Sequence, residues 1–401
     1  MSRPKTVLCL ASYFKGNRFL EALKAEGARV YLLTVEQCLP EPWPRGVIDG
    51  VFAVDNFHDR KALVNAVAYL FRTHKFDLVV ALDDFDIEVG AFLREHFRLT
   101  HTGHGETTAR YFRDKLAMRE KAREIGVRIP DFCPLFHHAD VTEFITRVPG
   151  PWLIKPRSEA SAAGIRKLYA AGEVWAKLHD LGDEQSNYLL EQMVPGDLYH
   201  VDSLTRNGKV IFAEVNAYAR PLLDVYQGGG IYGTRTVPRD HPDVAGLTAA
   251  NAQVVEGFGL GQGASHTEFM KAHADSQFYF IETSARVGGA NTADMVEAAR
   301  GVNLWAEWAR LELARGGGEY QLPLLKDRYG GVVISLARQE HPDTAGFTDP
   351  EIVYRVDLKH HIGFVLAADT PERIRQLQDD YMARIARDFC AVLPGADKES
   401  H

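Results

Sequence analysis

A chain of 401 residues is longer than a single hydrophobic core usually supports, so two or three domains sharing a cleft are expected. With 46% hydrophobic and 25% charged residues, the composition is that of an ordinary globular protein, and no run reaches transmembrane length. The net charge of -8, with no basic block to offset it, argues against a nucleic-acid surface. Cys9, Cys38, Cys133 and Cys390 are scattered without a C-x-x-C pair, which leaves no zinc or disulfide pattern. The apolar TVLCLA near the start is too short for a signal peptide, so a cytoplasmic address with no membrane partner is expected.

The first hundred residues alternate short β-rich runs with amphipathic stretches: KTVLCL, NRFLEALKAEG, ARVYLLT, GVFAV, KALVNAVAYLFRTH, DLVVAL and DIEVGAFLREHF. Strands alternating with helices of this length predict a parallel sheet, a Rossmann-like domain over residues 1–107. The first strand runs into ASYFKGN, without the G-x-G-x-x-G of a dinucleotide site, and no phosphate-loop motif ending in Gly-Lys-Ser/Thr occurs. Asp83, Asp84 and Glu88 follow the fourth strand. They read as helix N-terminal acids favoured by the dipole, with capture of a substrate amine as the other role open to them.

From Thr107 the sequence predicts one long helix, TTARYFRDKLAMREKAREIG, stopped by Gly126 and Pro130. A strand with Lys155-Pro156, a small-residue turn over 158–164, a strand RKLYA, a helix around EVWAKLHDLG and a strand YLLEQMV follow. LYHVDSLTR and KVIFAEVNAY are joined by Asn207-Gly208, a hairpin signal, so antiparallel pairing replaces parallel pairing after about residue 107. The stretch 221–235, PLLDVYQGGGIYGTR, reads as a mobile loop or a plain linker. A second long helix, ADMVEAARGVNLWAEWARLELARG, and a closing α+β portion complete the chain. The expected divisions are 108–195 and 196–401.

The stretch 278–290, FYFIETSARVGGA, opens as a buried strand and then presents Glu282, Ser284 and Arg286 at alternate positions, which project on one face. Alone, such a group reads as a surface ion pair. It follows, in order, a helix with Asp114-Lys115, a strand with Lys155-Pro156, a strand ending in Glu191 before Pro195-Gly196, and a strand with Glu268. In that order and spacing the chain resembles the ATP-grasp superfamily over nearly its whole length, in particular its carboxylate-amine ligases of the L-amino-acid and dipeptide type. HTEF at 266–269 followed by FIETSAR at 280–286 is the most specific piece.

The resemblance implies an α/β and α+β architecture: a Rossmann-like front domain, then an ATP-grasp fold holding the nucleotide between two α+β subdomains. It implies ATP and Mg2+, with Mn2+ as the other cation, and small-molecule carboxylate and amine substrates. A homodimer is compatible with it. ATP carries about four negative charges that cations, backbone N–H groups and metal must offset. Lys115 and Lys155 supply two cations, and the 158–164 turn, with Ser161, supplies backbone N–H groups. Glu191, Gln192 and Val194 occupy the positions that read the adenine edge. Many relatives place a glutamate at Leu198 to hold the ribose, and Asp197 is the expected substitute.

Glu268 and Glu282 are the expected metal ligands, since facing carboxylates repel unless a cation lies between them. Ser284 stands where most relatives carry asparagine as a further ligand. Arg286 is expected to grip the transferring phosphate, and Lys155, Glu282 and Arg286 form the catalytic set. Arg286, Gly288, Gly289 and His200 are expected to bind substrate. His200 and His266 flank the cleft and show no carboxylate partner in the sequence. The implied activity is ATP-dependent amide-bond formation through an acyl phosphate. The rivals are a carboxylase or formyltransferase of the same superfamily and an ATP-binding module without turnover.

Overall fold

A computed structural model of the chain describes residues 3–160, 162–220, 225 and 230–391. Strands β1 (Thr6–Ala11), β2 (Arg29–Val35), β3 (Gly50–Val54) and β4 (Leu78–Ala81) pair in parallel, in the order β3-β2-β1-β4. β1 and β4 are buried along their whole length, which is why they read as unbroken apolar runs rather than alternating ones. The strand order reverses between β1 and β4, and ligands of open α/β sheets collect beyond the carboxyl ends at such a point. Here that crevice holds Lys15 paired with Asp83, and Asp86 accepting the Ser12 N–H at 2.7 Å. Asp83 also accepts the Phe85 N–H at 2.8 Å, a helix-start role.

Burial pushes the Asp86 carboxyl up to about 7; the Ser12 hydrogen bonds oppose the rise and Asp83 adds to it. A carboxyl raised in this way contributes stability that is fully present below its ordinary value of 3.8 and is lost as pH rises through the folded value. The Asp86→Asn protein should therefore gain on the parent as the solution becomes more alkaline. Its margin in urea midpoint is expected to be larger at about pH 8 than at about pH 5. Equal margins would contradict the burial of an ionising Asp86.

Strands β5 (Phe132–Pro134), β6 (Trp152–Pro156), β7 (Arg166–Leu168) and β8 (Tyr188–Gln192) form an antiparallel sheet in the order β5-β8-β6-β7. The third sheet is built from β9 (Gly196–Arg206), β10 (Lys209–Tyr218), β11 (Tyr232–Thr236), β12 (Gly263–Ala272), β13 (Phe278–Ser284), β14 (Tyr329–Leu336), β15 (Ile352–Arg355) and β16 (His361–Ala368). Its order is β13-β12-β9-β10-β11-β14-β16-β15, antiparallel throughout. Asn207 and Gly208 join β9 to β10 with φ of 50° and 74°, the positive values that a tight hairpin needs.

Both long helices are broken. Helix Glu106–Arg110 ends before Asp114, whose carboxylate accepts the Leu116 and Ala117 N–H groups and starts a new helix, Lys115–Glu124. The second splits into Thr292–Arg300 and Leu304–Leu313, because Gly301 turns left-handed (φ 75°) and Asn303 caps the Ala306 N–H. Helical spacing of the apolar residues carried across both breaks; the capping residues decided them. Of the glycine-rich stretch 221–235, positions 221–224 and 226–229 lie outside the described residues, and Tyr232–Thr236 is strand, where a loop was expected.

The front domain is joined to the large sheet by one continuous core. Helix Asn17–Ala25 buries Phe19, Leu20, Ala22 and Leu23, and Phe19 meets Trp308 edge-on at 4.9 Å between ring centroids. Each such buried aromatic contributes about 1.5–3 kcal/mol, so the front domain is held firmly to the large sheet. Among the described residues, no helix is long and apolar enough to cross a membrane.

Candidate active site

A cleft of about 450 Å³ opens between the small antiparallel sheet and the large one, lined by Lys115, Lys155, Glu191, Val194, Leu198, Tyr218, His266, Glu268, Glu282, Arg286 and Gly289 among others. Glu268 and Glu282 are direct cross-strand partners on β12 and β13, as the sequence led one to expect of adjacent strands. Like charges so placed repel unless a cation or a hydrogen-bond donor offsets each of them. Lys115 lies 3.0 Å from Glu282, and Tyr218 donates its hydroxyl proton to Glu268 at 2.7 Å. Burial alone would push Glu282 up; the Lys115 ammonium, with help from Lys155 and His266, holds it down at about 2.

On the opposite wall Glu191 is fully buried between two cations: Lys155 at 2.5 Å and Arg119 at 2.7 Å. Burial opposes ionisation of Glu191, and Arg119 and Lys155 overcome it and lower its pKa; burial in turn lowers that of Lys155. Glu191 therefore anchors the cleft's Lys155 as well as standing at its edge. Arg119 was missed in the sequence. Its signal was the spacing from Lys115, since i and i+4 share a helix face.

Four expected site residues stand elsewhere. Ser284 is buried and donates its hydroxyl to Asp84 of the front domain, which also binds Arg113 at 2.8 Å, so that hydroxyl is committed away from the two glutamates. Asp197 is exposed and faces His273 at 3.6 Å, while Leu198 lines the cleft. His200 is completely buried, with Nδ1 on Asp202 at 2.7 Å and Nε2 on Thr234 at 2.6 Å, and does not reach the cleft. Gly288 is also buried: a Cβ there would lie 2.7 Å from Asp202 and 2.9 Å from His266. Gln192 is held by its backbone N–H on Asp131, and Ser161 lies outside the described residues.

The two histidines do have a carboxylate partner. Asp202 accepts from His200 on one oxygen and from His266 Nδ1 at 2.8 Å on the other. The signal was H-x-D at 200–202, two residues apart and so on one face of β9. Burial lowers both rings, and burial wins at His200; at His266 the Asp202 and Glu268 carboxylates win and raise it to about 9. Asp202 itself is held well below the usual carboxylate range by the two rings, against its burial.

This three-sheet arrangement, with a cationic cleft between a small and a large antiparallel sheet behind a parallel front domain, is the ATP-grasp fold. No family model matches the chain. It is similar to the L-arginine-specific L-amino acid ligase of Bacillus subtilis, 24% identical over 340 residues, 80% of each chain. It is also similar to the D-alanine–D-alanine ligase of Ralstonia pickettii, 26% identical over 226 residues, 53% of this chain and 66% of that one. Among solved structures, the L-amino acid ligase of Bacillus licheniformis superposes with a TM-score of 0.74 at 17% identity, over 95% of this chain and 97% of the other. The N5-carboxyaminoimidazole synthetase of Staphylococcus aureus, complexed with ADP, does so with a TM-score of 0.73 at 15% identity, over 96% and 98%.

Proposed function

We propose that the protein is an ATP-dependent carboxylate-amine ligase that forms an amide or peptide bond through an acyl phosphate, releases ADP and phosphate, and takes an amino acid as one substrate. The observation that carries this is the opposition of Glu268 and Glu282 on paired strands, facing Lys115 and Lys155 across one cleft. The expected lobes 1–107, 108–195 and 196–401 are the working parts, with the nucleotide between the second and third. Lys115 and Lys155 meet the phosphates, and Glu191, Val194 and the backbone near them line the adenine end. Arg286 takes the transferring phosphoryl group in its guanidinium fork, with Gly289 leaving room for the substrate.

Two opposed carboxylates are hard oxygen donors suited to Mg2+ or Mn2+ together with substrate phosphates, and the cation, when bound, neutralises charge as the γ-phosphoryl group moves. Ser284 contributes through Asp84, and its hydroxyl is not in the donor set. The substrate carboxylate oxygen attacks the γ-phosphorus and ADP leaves; the amine then attacks the acyl carbon and phosphate leaves. No protein nucleophile is needed, so the residues work by positioning and charge.

The test is product analysis of purified protein with Mg-ATP, with and without pooled amino acids and small carboxylates. Stimulation of ADP and phosphate by the pool supports the proposal. Turnover that demands bicarbonate or formate and no amino acid would replace it with the carboxylase-type chemistry. ATP binding without turnover on any pool would replace it with a silent module.

A further inference from the structure

Behind Glu268 a chain of hydrogen bonds crosses four strands of the large sheet, and none of its inner members touches the cleft. Thr234 on β11 meets His200 Nε2 at 2.6 Å, and His200 Nδ1 meets Asp202 at 2.7 Å. Asn216 on β10 donates to the same Asp202 oxygen at 2.9 Å. The other Asp202 oxygen takes His266 Nδ1 at 2.8 Å. His266 Nε2 then stands 3.7 Å from Glu268 Oε1, the oxygen that Tyr218 holds at 2.7 Å. Asp202, His200, Asn216 and Thr234 have no exposed surface.

The joints at Asp202 are determined. A carboxylate only accepts, so both rings present Nδ1–H to Asp202, and His266 is left with Nε2 directed toward Glu268 and Tyr218. The approach of Asp202 to His266 also depends on Gly288. Any side chain there would collide with both partners, at 2.7 Å and 2.9 Å. Gly288 on one side and Asn216 on the other leave Asp202 a single position.

We propose that Asp202 is a positioning residue: through His266, and together with Tyr218, it fixes Oε1 of Glu268 and so leaves Oε2 to a divalent cation in the cleft. The proposal rests on the ligase assignment, which makes Glu268 a metal ligand. Partners that orient a ligand from behind typically change metal affinity by about 10- to 100-fold when removed. A role confined to holding the sheet together would change stability and leave metal affinity alone.

The experiment is Mn2+ binding, followed by electron paramagnetic resonance, to the full chain in the presence of a non-hydrolysable ATP analogue, with thermal midpoints recorded alongside. Asp202→Asn keeps shape and removes an acceptor. His266→Asn keeps a donor at the Nδ1 position and loses Nε2, so it preserves the Asp202 contact and cuts the link to Glu268. Both are expected to weaken Mn2+ by about 10- to 100-fold, His266→Asn with little change in midpoint; His266→Gln, which restores a polar group near Nε2, is expected to recover part of the loss. Gly288→Ala should follow Asp202→Asn. If parent binds Mn2+, Glu268→Gln does not, and His266→Asn binds like parent, the positioning role is overturned while the metal assignment stands. Parent that takes up no Mn2+, or Glu268→Gln that takes up as much as parent, overturns the metal assignment and the positioning role with it.

Discussion

Glu282→Gln is expected to lower ADP formation by about 10²- to 10³-fold or more while the protein stays folded. Glutamine keeps the shape of the side chain and removes the charge that faces Glu268 across the paired strands. That charge is firmly held: burial works against it, and Lys115 at 3.0 Å keeps the carboxyl at about 2. The ion pair with Lys115 is part exposed, 31% on the glutamate side, so its loss should change stability by no more than about 1 kcal/mol. Lys115 also keeps its hydrogen bond to the Glu159 carbonyl at 2.5 Å. A depressed carboxyl contributes stability present above its ordinary value of 4.5 and lost as pH falls through about 2, so parent and variant should converge in stability in strong acid. Steady-state ADP release and thermal melting check both parts. Full activity in the variant would contradict the proposed role of Glu282 as a metal ligand.

Glu191→Gln is expected to have the opposite balance, a large loss of stability. Glu191, Arg119 and Lys155 are a triad with side chains 1%, 0% and 5% exposed, so neither cation can turn to water when the carboxylate is gone. Removing one member of a buried pair costs about 3–5 kcal/mol, because the charge left behind is uncompensated. Glutamine accepts on one atom and presents N–H groups on the other, which puts a donor against a donor at one of the two cations. The exposed pair Glu120–Arg123 is the internal control: Glu120→Gln should shift stability by about 0.5 kcal/mol or less. Denaturant melts of the three proteins settle the comparison. A Glu191→Gln protein as stable as the Glu120→Gln protein would contradict the triad.

Much of this was legible in the sequence, for reasons that differ by region. The front strands are apolar runs bounded by turn residues, and the Asn207-Gly208 hairpin is fixed by two residues that tolerate positive φ. Those are local signals. The helix breaks at Asp114 and Gly301 depended on a cap and a left-handed turn inside a pattern that stayed helical. In the cleft, Lys115, Lys155, Glu191, Glu268, Glu282 and Arg286 came together because strand alternation and the order of elements place them so. Ser284 shares that face, yet its hydroxyl is taken by Asp84, 200 positions away in the chain, and no local spacing carries such a contact. His200 likewise alternates correctly on β9, opposite Glu268, yet the Tyr218 and His266 rings pack against it at 4.7 Å and 4.9 Å between centroids and cover it. Asp197 carries the charge expected of a ribose ligand, but its side chain is turned outward toward His273.

The acyl phosphate is the centre of the account, and isotope transfer tests it most directly. Once the pool yields a substrate pair, the carboxylate substrate is labelled with oxygen-18 and the released phosphate is examined by mass spectrometry. Attack of the carboxylate on the γ-phosphorus leaves one labelled oxygen in phosphate per amide formed. Amide formation with unlabelled phosphate would mean that the carboxylate is activated in another way, and the cleft's opposed glutamates and lysines would need a different reaction.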